Sequence, residues 1–127
     1  MIYLASPYSH PDPSIQDLRF RQACITGGEM IKRGFHVISP IAHSVPISSM
    51  AKYPQDYKAW KEWDEELILL CSQVWILMLP GWEDSMGIKN EISFAVNNGI
   101  PIKLLSWPSL TFHRESLGED PSPPLSA

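Results

Sequence analysis

Residues 74–80 read VWILMLP and run straight into residues 81–91, GWEDSMGIKNE. The first seven positions are apolar throughout. A strand without a polar face is one covered on both sides, as in a parallel sheet with helices above and below it. The next eleven positions hold three carboxylates (Glu83, Asp84, Glu91), one serine and two glycines. They lead into the helical pattern SMGIKNEISFAVNNG, which Gly99 stops. A buried strand therefore ends in an acidic turn and a helix.

The same unit recurs on either side. IYLAS at 2–6 is a short buried strand, followed by the loop SPYSHPDP. Asp12-Pro13 is a helix start, with Asp as N-cap and Pro at the first helical position. Ile15, Leu18, Ala23, Cys24, Ile25, Met30 and Ile31 recur at roughly helical spacing, and Lys32-Arg33-Gly34 ends the helix. FHVIS at 35–39 is the second strand. Strand, helix and strand in about forty residues make a βαβ unit with parallel strands. Residues 40–56 hold three prolines and no clear period, and read as a long connection. A helix over 57–72 follows, with Trp60, Trp63, Leu67, Leu70 and Cys71 along one side. IPIKLLS at 100–106 is the fourth strand.

The expected fold is α/β: a flavodoxin-like three-layer sandwich with a mostly parallel sheet in the order 2-1-3-4. Ligands of such sheets bind at the carboxyl ends of the strands, where the strand order reverses. That point falls between strands 1 and 3, so SPYSHPDP and PGWEDSMG face each other across the expected crevice. The domain spans residues 1–110. The tail, 111–127, ends in GEDPSPPLSA and reads as flexible.

Composition narrows the function. The chain has 127 residues, which suits one domain with one core. Its net charge is −4, without the clustered basic face that a nucleic-acid polymer requires. VWILMLP is far too short to cross a bilayer, which takes roughly 20 residues. The opening MIYLAS has no signal-peptide pattern, so a cytoplasmic setting is expected. Cys24 and Cys71 lie far apart, without CxxC spacing, and are expected as buried reduced thiols. The four histidines show no paired spacing, so no metal is expected. The chain also lacks a P-loop, a GxGxxG turn and a GxSxG elbow.

Glu91 lies about two turns into the helix that begins near Asp84 or Ser85. Gly87, four positions earlier on the same face, has no side chain to block a ligand. Glu91 therefore either faces the crevice or lies on a solvated helix face. Glu83 and Asp84 are also explained as helix-start charges that complement the dipole.

In order, IYLASPYS, the D-x-x-L-x-x-x-C run from Asp64, and GW-x-x-S-x-G-x-x-x-E at 81–91 resemble the nucleoside 2-deoxyribosyltransferase-like superfamily. That superfamily also includes small bacterial and phage members and the 2′-deoxynucleoside 5′-phosphate N-hydrolases. The resemblance covers residues 1–106. It implies an enzyme that cleaves or transfers at the N-glycosidic bond of a nucleoside or its 5′-monophosphate, without a cofactor. It gives Glu91 as the nucleophile, Tyr3 as the residue that orients it, and Asp64 as the acid near the leaving base. It implies substrate contacts from Ser6, Pro7, Tyr8, His43, Trp82, Asp84, Ser85 and Gly87, with base recognition in 40–56. The position of Ser85 is aspartate in the transferases and serine in the phosphate-using hydrolases. A homo-oligomer, dimer or tetramer, follows from the same resemblance.

Two features depart from the superfamily. The first loop lacks its glycines, and Glu83 and Asp84 would repel a phosphate, with Lys89 the nearest cation. Trp60, Trp63, Trp82, Tyr53 and Tyr57 form an aromatic group that suits core or subunit packing, or base stacking. A non-catalytic nucleotide-binding or sensor module of this fold, and an oligomeric interaction protein, are the alternative functions.

Overall fold

The structure is a computed structural model that describes residues 1–109 and 112–113. Four parallel strands form its centre: β1 (Ile2–Ala5), β2 (Val37–Ile38), β3 (Gln73–Leu77) and β4 (Ile102–Leu105). Their order is β2-β1-β3-β4, and β5 (Phe112–His113) pairs antiparallel with β4 at the edge. The expected 2-1-3-4 order and the switch point between β1 and β3 are both present. Most of the expected tail, 111–127, lies outside the described residues.

Strand alternation sorts the core into two layers. Ile2 and Leu4 of β1 join Trp75 and Leu77 of β3 and Met30 of α1 (Pro13–Lys32) on one face. Tyr3 and Ala5 join Val74 and Ile76 on the other. There they meet Ile68 of α3 (Tyr57–Leu69) and Ile88 and Ala95 of α4 (Met86–Asn97). The sheet is thus covered on both faces, as the apolar run VWILMLP requires. Phe35 and Trp75 pack edge to face with centroids 5.1 Å apart.

Local signals place the helix ends. Asp12 caps α1 by accepting from the Ser14 N–H at 2.9 Å. Gly34 and Gly99 take φ of 92° and 69°, the left-handed turn that ends each preceding helix. α4 begins after Ser85, whose Oγ accepts from the Ile88 N–H. Glu83 and Asp84 belong to a separate 3₁₀ turn, Trp82–Asp84, ahead of it.

Four expectations are corrected. Residues 40–51 are not an aperiodic connection but a helix, α2 (Pro40–Ala51). Ser39 caps it by accepting from the Ala42 N–H at 3.1 Å, and Pro40 occupies the first turn, where an N–H is not needed. Pro46 sits inside the helix and is exposed, so its missing N–H costs one backbone bond at the surface.

The buried side of α1 is not the large apolar series. Leu18, Ile25 and Ile31 are exposed, and Cys24 is exposed instead of buried. The inward stripe is Arg19, Ala23, Thr26, Gly27 and Met30. These are mostly small residues, which let α1 lie close to the sheet. On α3, Trp60 and Ile68 are buried, but Trp63 is exposed, as is Leu70, which caps the helix at its C-terminal end. Among the described residues no helix is long and apolar enough to cross a membrane.

Candidate active site

The carboxyl ends of β1 and β3 open into a cavity of about 310 Å³. That volume is at the small end of the range for small-molecule sites, roughly 300–1,000 Å³. One wall is the loop after β1, with Ser6, Tyr8 and Ser9; the opposite wall is Asp84, Ser85 and Gly87. Glu91 of α4 and Asp64 of α3 both line the cavity, and α2 and the loop after it contribute Pro40, Ser44 and Gln55.

Glu91 is buried, with 7% of its surface exposed, so it is not on a solvated face. The Tyr3 hydroxyl donates to its Oε2. Tyr3 does not line the cavity; it stands behind Glu91 and is fully buried. Strand alternation turns it toward α4, and α4 turns Glu91 inward because Ile88 and Ala95 lie on the same buried side. Tyr3 thus supplies one hydrogen bond to a carboxyl group that would otherwise be costly to bury.

The electrostatics follow from burial. Desolvation first, and then the charge of Asp64, push the Glu91 carboxyl up to about 8, while the Tyr3 hydrogen bond pulls it down. Desolvation first, and then Glu65, push Asp64 up to about 7. Burial, together with Glu91 and Asp64, drives the Tyr3 phenol well above its ordinary range, so it stays a donor. Glu91 and Asp64 titrate as a pair that keeps a proton in the neutral range. Asp64 Oδ1 and Ser6 Oγ are buried on the cavity wall without a hydrogen-bond partner among the described residues. Such atoms call for a bound polar group or water.

Of the expected substrate contacts, Ser6, Tyr8, Asp84, Ser85 and Gly87 line the cavity, and Pro7, His43 and Trp82 do not. Pro7 is buried. His43 stacks on Trp63 with ring centroids 4.4 Å apart, and Trp82 packs against the core beneath α4. A Cβ on Gly87 would meet the Tyr57 Cβ at 3.7 Å, an ordinary contact, so sterics there do not demand glycine.

Several residues of the site carried no readable signal. Gln55 lines the cavity and donates from Nε2 to Ser44 Oγ at 2.9 Å. Trp60, read as part of an aromatic group, lines the cavity and shares its indole N–H between Ser48 Oγ and the Pro54 carbonyl, both at 3.0 Å. Arg19 donates to the carbonyls of Ser9 and Pro80. A charged residue in phase with Ala23, Thr26 and Met30 was the signal that would have found it. Among the described residues, no cluster of three or more His, Cys, Asp or Glu side chains could hold a metal ion.

Residues 1–107 match the family described as Domain of unknown function (DUF1937), and the chain belongs to that family. A comparison with curated proteins finds no match.

Proposed function

We propose that this DUF1937 domain cleaves or exchanges the N-glycosidic bond of a nucleoside or nucleoside 5′-monophosphate, with Glu91 as nucleophile. The observation that carries the reading is the buried Glu91 carboxyl, oriented by the Tyr3 hydroxyl, on the wall of a cavity that Asp64 also lines. A carboxylate is a competent nucleophile toward an oxocarbenium-like carbon. Tyr3 occupies Oε2, which leaves Oε1 for attack.

In this reading Glu91 Oε1 bonds to the anomeric carbon as the bond from that carbon to the base nitrogen breaks. The electron pair leaves with the base, which takes a proton from the Asp64 carboxyl. Water or a second base then attacks the same carbon and releases Glu91. Asp64 recovers the proton that the attacking group loses. Glu91 must be ionised and Asp64 protonated at the start. Burial leaves the Glu91 carboxyl the last of the pair to ionise, at about 8 against about 7 for Asp64, so the reactive form, with the proton on Asp64, is the minor singly protonated form and draws on the Tyr3 hydrogen bond to the Glu91 carboxylate. The route uses no cofactor. A homo-oligomer, dimer or tetramer, belongs to the same proposal and rests on the resemblance alone.

One observation favours a second reading, a nucleotide-binding module without turnover. With Glu91 pushed up to about 8, its neutral form is a hydrogen-bond donor and not a nucleophile. A chromatographic screen for free base separates the two. It uses deoxyribo- and ribonucleosides and their 5′-monophosphates, with and without an acceptor base. Base release or exchange supports the enzyme; a thermal shift with these ligands but no release supports the module.

A further inference from the structure

The cavity walls are two loops from opposite sides of the strand-order reversal, and one side chain joins them. Arg19 projects from the buried stripe of α1 and is only 9% exposed. Its Nη1–H donates to the Ser9 carbonyl at 2.8 Å and its Nη2–H to the Pro80 carbonyl at 3.0 Å. Ser9 belongs to the loop after β1 and Pro80 to the loop after β3. We propose that Arg19 is the positioning residue that sets the width of the cavity mouth by tying these two loops together.

Three features of the surroundings support this role. The other side-chain bonds of the first loop stay local: Gln16 Nε2 donates to the His10 carbonyl at 2.8 Å, and the Asp12 N–H to His10 Nδ1 at 2.9 Å. Among these bonds only those of Arg19 reach the second loop. Next, Gly81 takes a φ of 90°, and a Cβ there would lie 2.6 Å from Arg19 Nη2. The glycine is what lets the guanidinium lie against the backbone of the turn. Finally, two carbonyls on separate loops suit the rigid, planar fork of arginine, and the single ammonium of lysine does not span them in the same way.

Arg19 does not line the cavity, so it acts through the walls and not on a ligand. Glu91 and Tyr3 sit on α4 and β1, outside both loops. Loosening the mouth therefore weakens binding and spares the chemical step. This inference rests on the cavity and not on which bond is broken there.

The test compares the full-length wild type with Arg19→Lys, Gly81→Ala and the double variant. Amide hydrogen exchange is followed over residues 6–11 and 79–85. Each single variant is expected to speed exchange in both loops together, by about tenfold, the scale of one lost charge-assisted hydrogen bond. Gly81→Ala also strains its own turn, because alanine disfavours a φ of 90°, so additivity is read in residues 6–11 alone, where the double variant is expected to add little. α4 and β4 keep their protection. On any nucleoside that is turned over, KM rises about tenfold while kcat stays within about twofold. Faster exchange in only one loop, or in neither, overturns the proposal, as does full additivity of the two changes. If Arg19→Lys does not fold, Arg19→Gln takes its place, and Gly81→Ala is judged by exchange in residues 6–11, which its own backbone strain does not reach. Absence of turnover in all proteins, with coupled loops in the exchange data, removes the glycosidic reading and leaves Arg19 in its role.

Discussion

Tyr3 and Glu91 lie 88 positions apart, and the Tyr3 hydroxyl donates to Glu91 Oε2 inside the protein. One residue comes from the first strand and the other from α4. The parallel pairing of β1 with β3, Tyr3 opposite Val74, brings α4 over the tyrosine. The pair is therefore a product of the sheet order, and the account of function depends on it.

Tyr3→Phe removes the donor and leaves the buried carboxyl without that partner. The anionic form of Glu91 loses its stabilisation, so its pKa rises further. The expected outcome is a fall in kcat/KM of about 10- to 100-fold at pH 7, the scale of one charge-assisted bond. The acid limb of the pH–rate profile should move to higher pH. Steady-state kinetics across pH 5–9 check this.

The wild-type profile itself should be bell-shaped. Activity needs one proton on the Glu91–Asp64 pair, and the two carboxyls are raised to about 8 and about 7. kcat/KM should climb as the first proton leaves the pair and fall once the second has gone, above about pH 8. Asp64→Asn should abolish the alkaline limb and depress the rate with poor leaving bases most.

Glu91→Gln should stabilise the protein at alkaline pH. The folded Glu91 stays protonated up to about 8, whereas the unfolded one ionises in the ordinary carboxylate range. The folded state binds the extra proton in between, so wild-type stability falls as pH rises through that window. Glutamine does not titrate and accepts the same Tyr3 hydrogen bond. The variant should match wild type near pH 4 and exceed it by on the order of 4 kcal/mol at pH 8. Thermal melts at both pH values measure it. A constant offset at all pH values would contradict it.

Ser85 caps α4, so Ser85→Ala should cost about 1 kcal/mol in denaturant unfolding. Ser85→Asp keeps a capping oxygen and should restore stability. On the proposed function it should also lower activity on 5′-monophosphates relative to nucleosides, because it adds a charge beside the cavity.

Trp60→Phe removes an indole N–H shared by Ser48 Oγ and the Pro54 carbonyl. These bonds fix α3 to the end of α2 and the loop beyond it. The variant should unfold with a loss of about 1–2 kcal/mol, and its melting temperature should drop by roughly 4–8 °C.

The readable part of the fold was whatever local chemistry dictates. The continuous apolar run at 74–79, the Asp12-Pro13 cap and the glycines at 34 and 99 set the strands, the helix ends and the layer order. α2 was hidden because Pro40 and Pro46 read as breaks, although one sits in a helix's first turn and the other faces solvent. The inner stripe of α1 was hidden because small residues, not large apolar ones, make its contact with the sheet. At the site, Glu91 stood out by its place two turns into the helix, although periodicity left it undecided between crevice and surface, and Tyr3 was singled out through the resemblance. Gln55 and Ser44 were silent because their contact depends on α2, the helix that was hidden. Arg19 showed only as a charge in phase with small buried residues, and its partner Pro80 reaches it only across the folded sheet.

The most direct measurement is free-base release by wild type and Glu91→Gln, side by side, on the best nucleoside or nucleotide substrate. Glutamine keeps the shape and the Tyr3 hydrogen bond and removes only the nucleophilic charge. With Glu91 as the nucleophile, the rate should fall at least about 1,000-fold, with the variant folded and still binding. Base release that persists in Glu91→Gln at near the wild-type rate would contradict it.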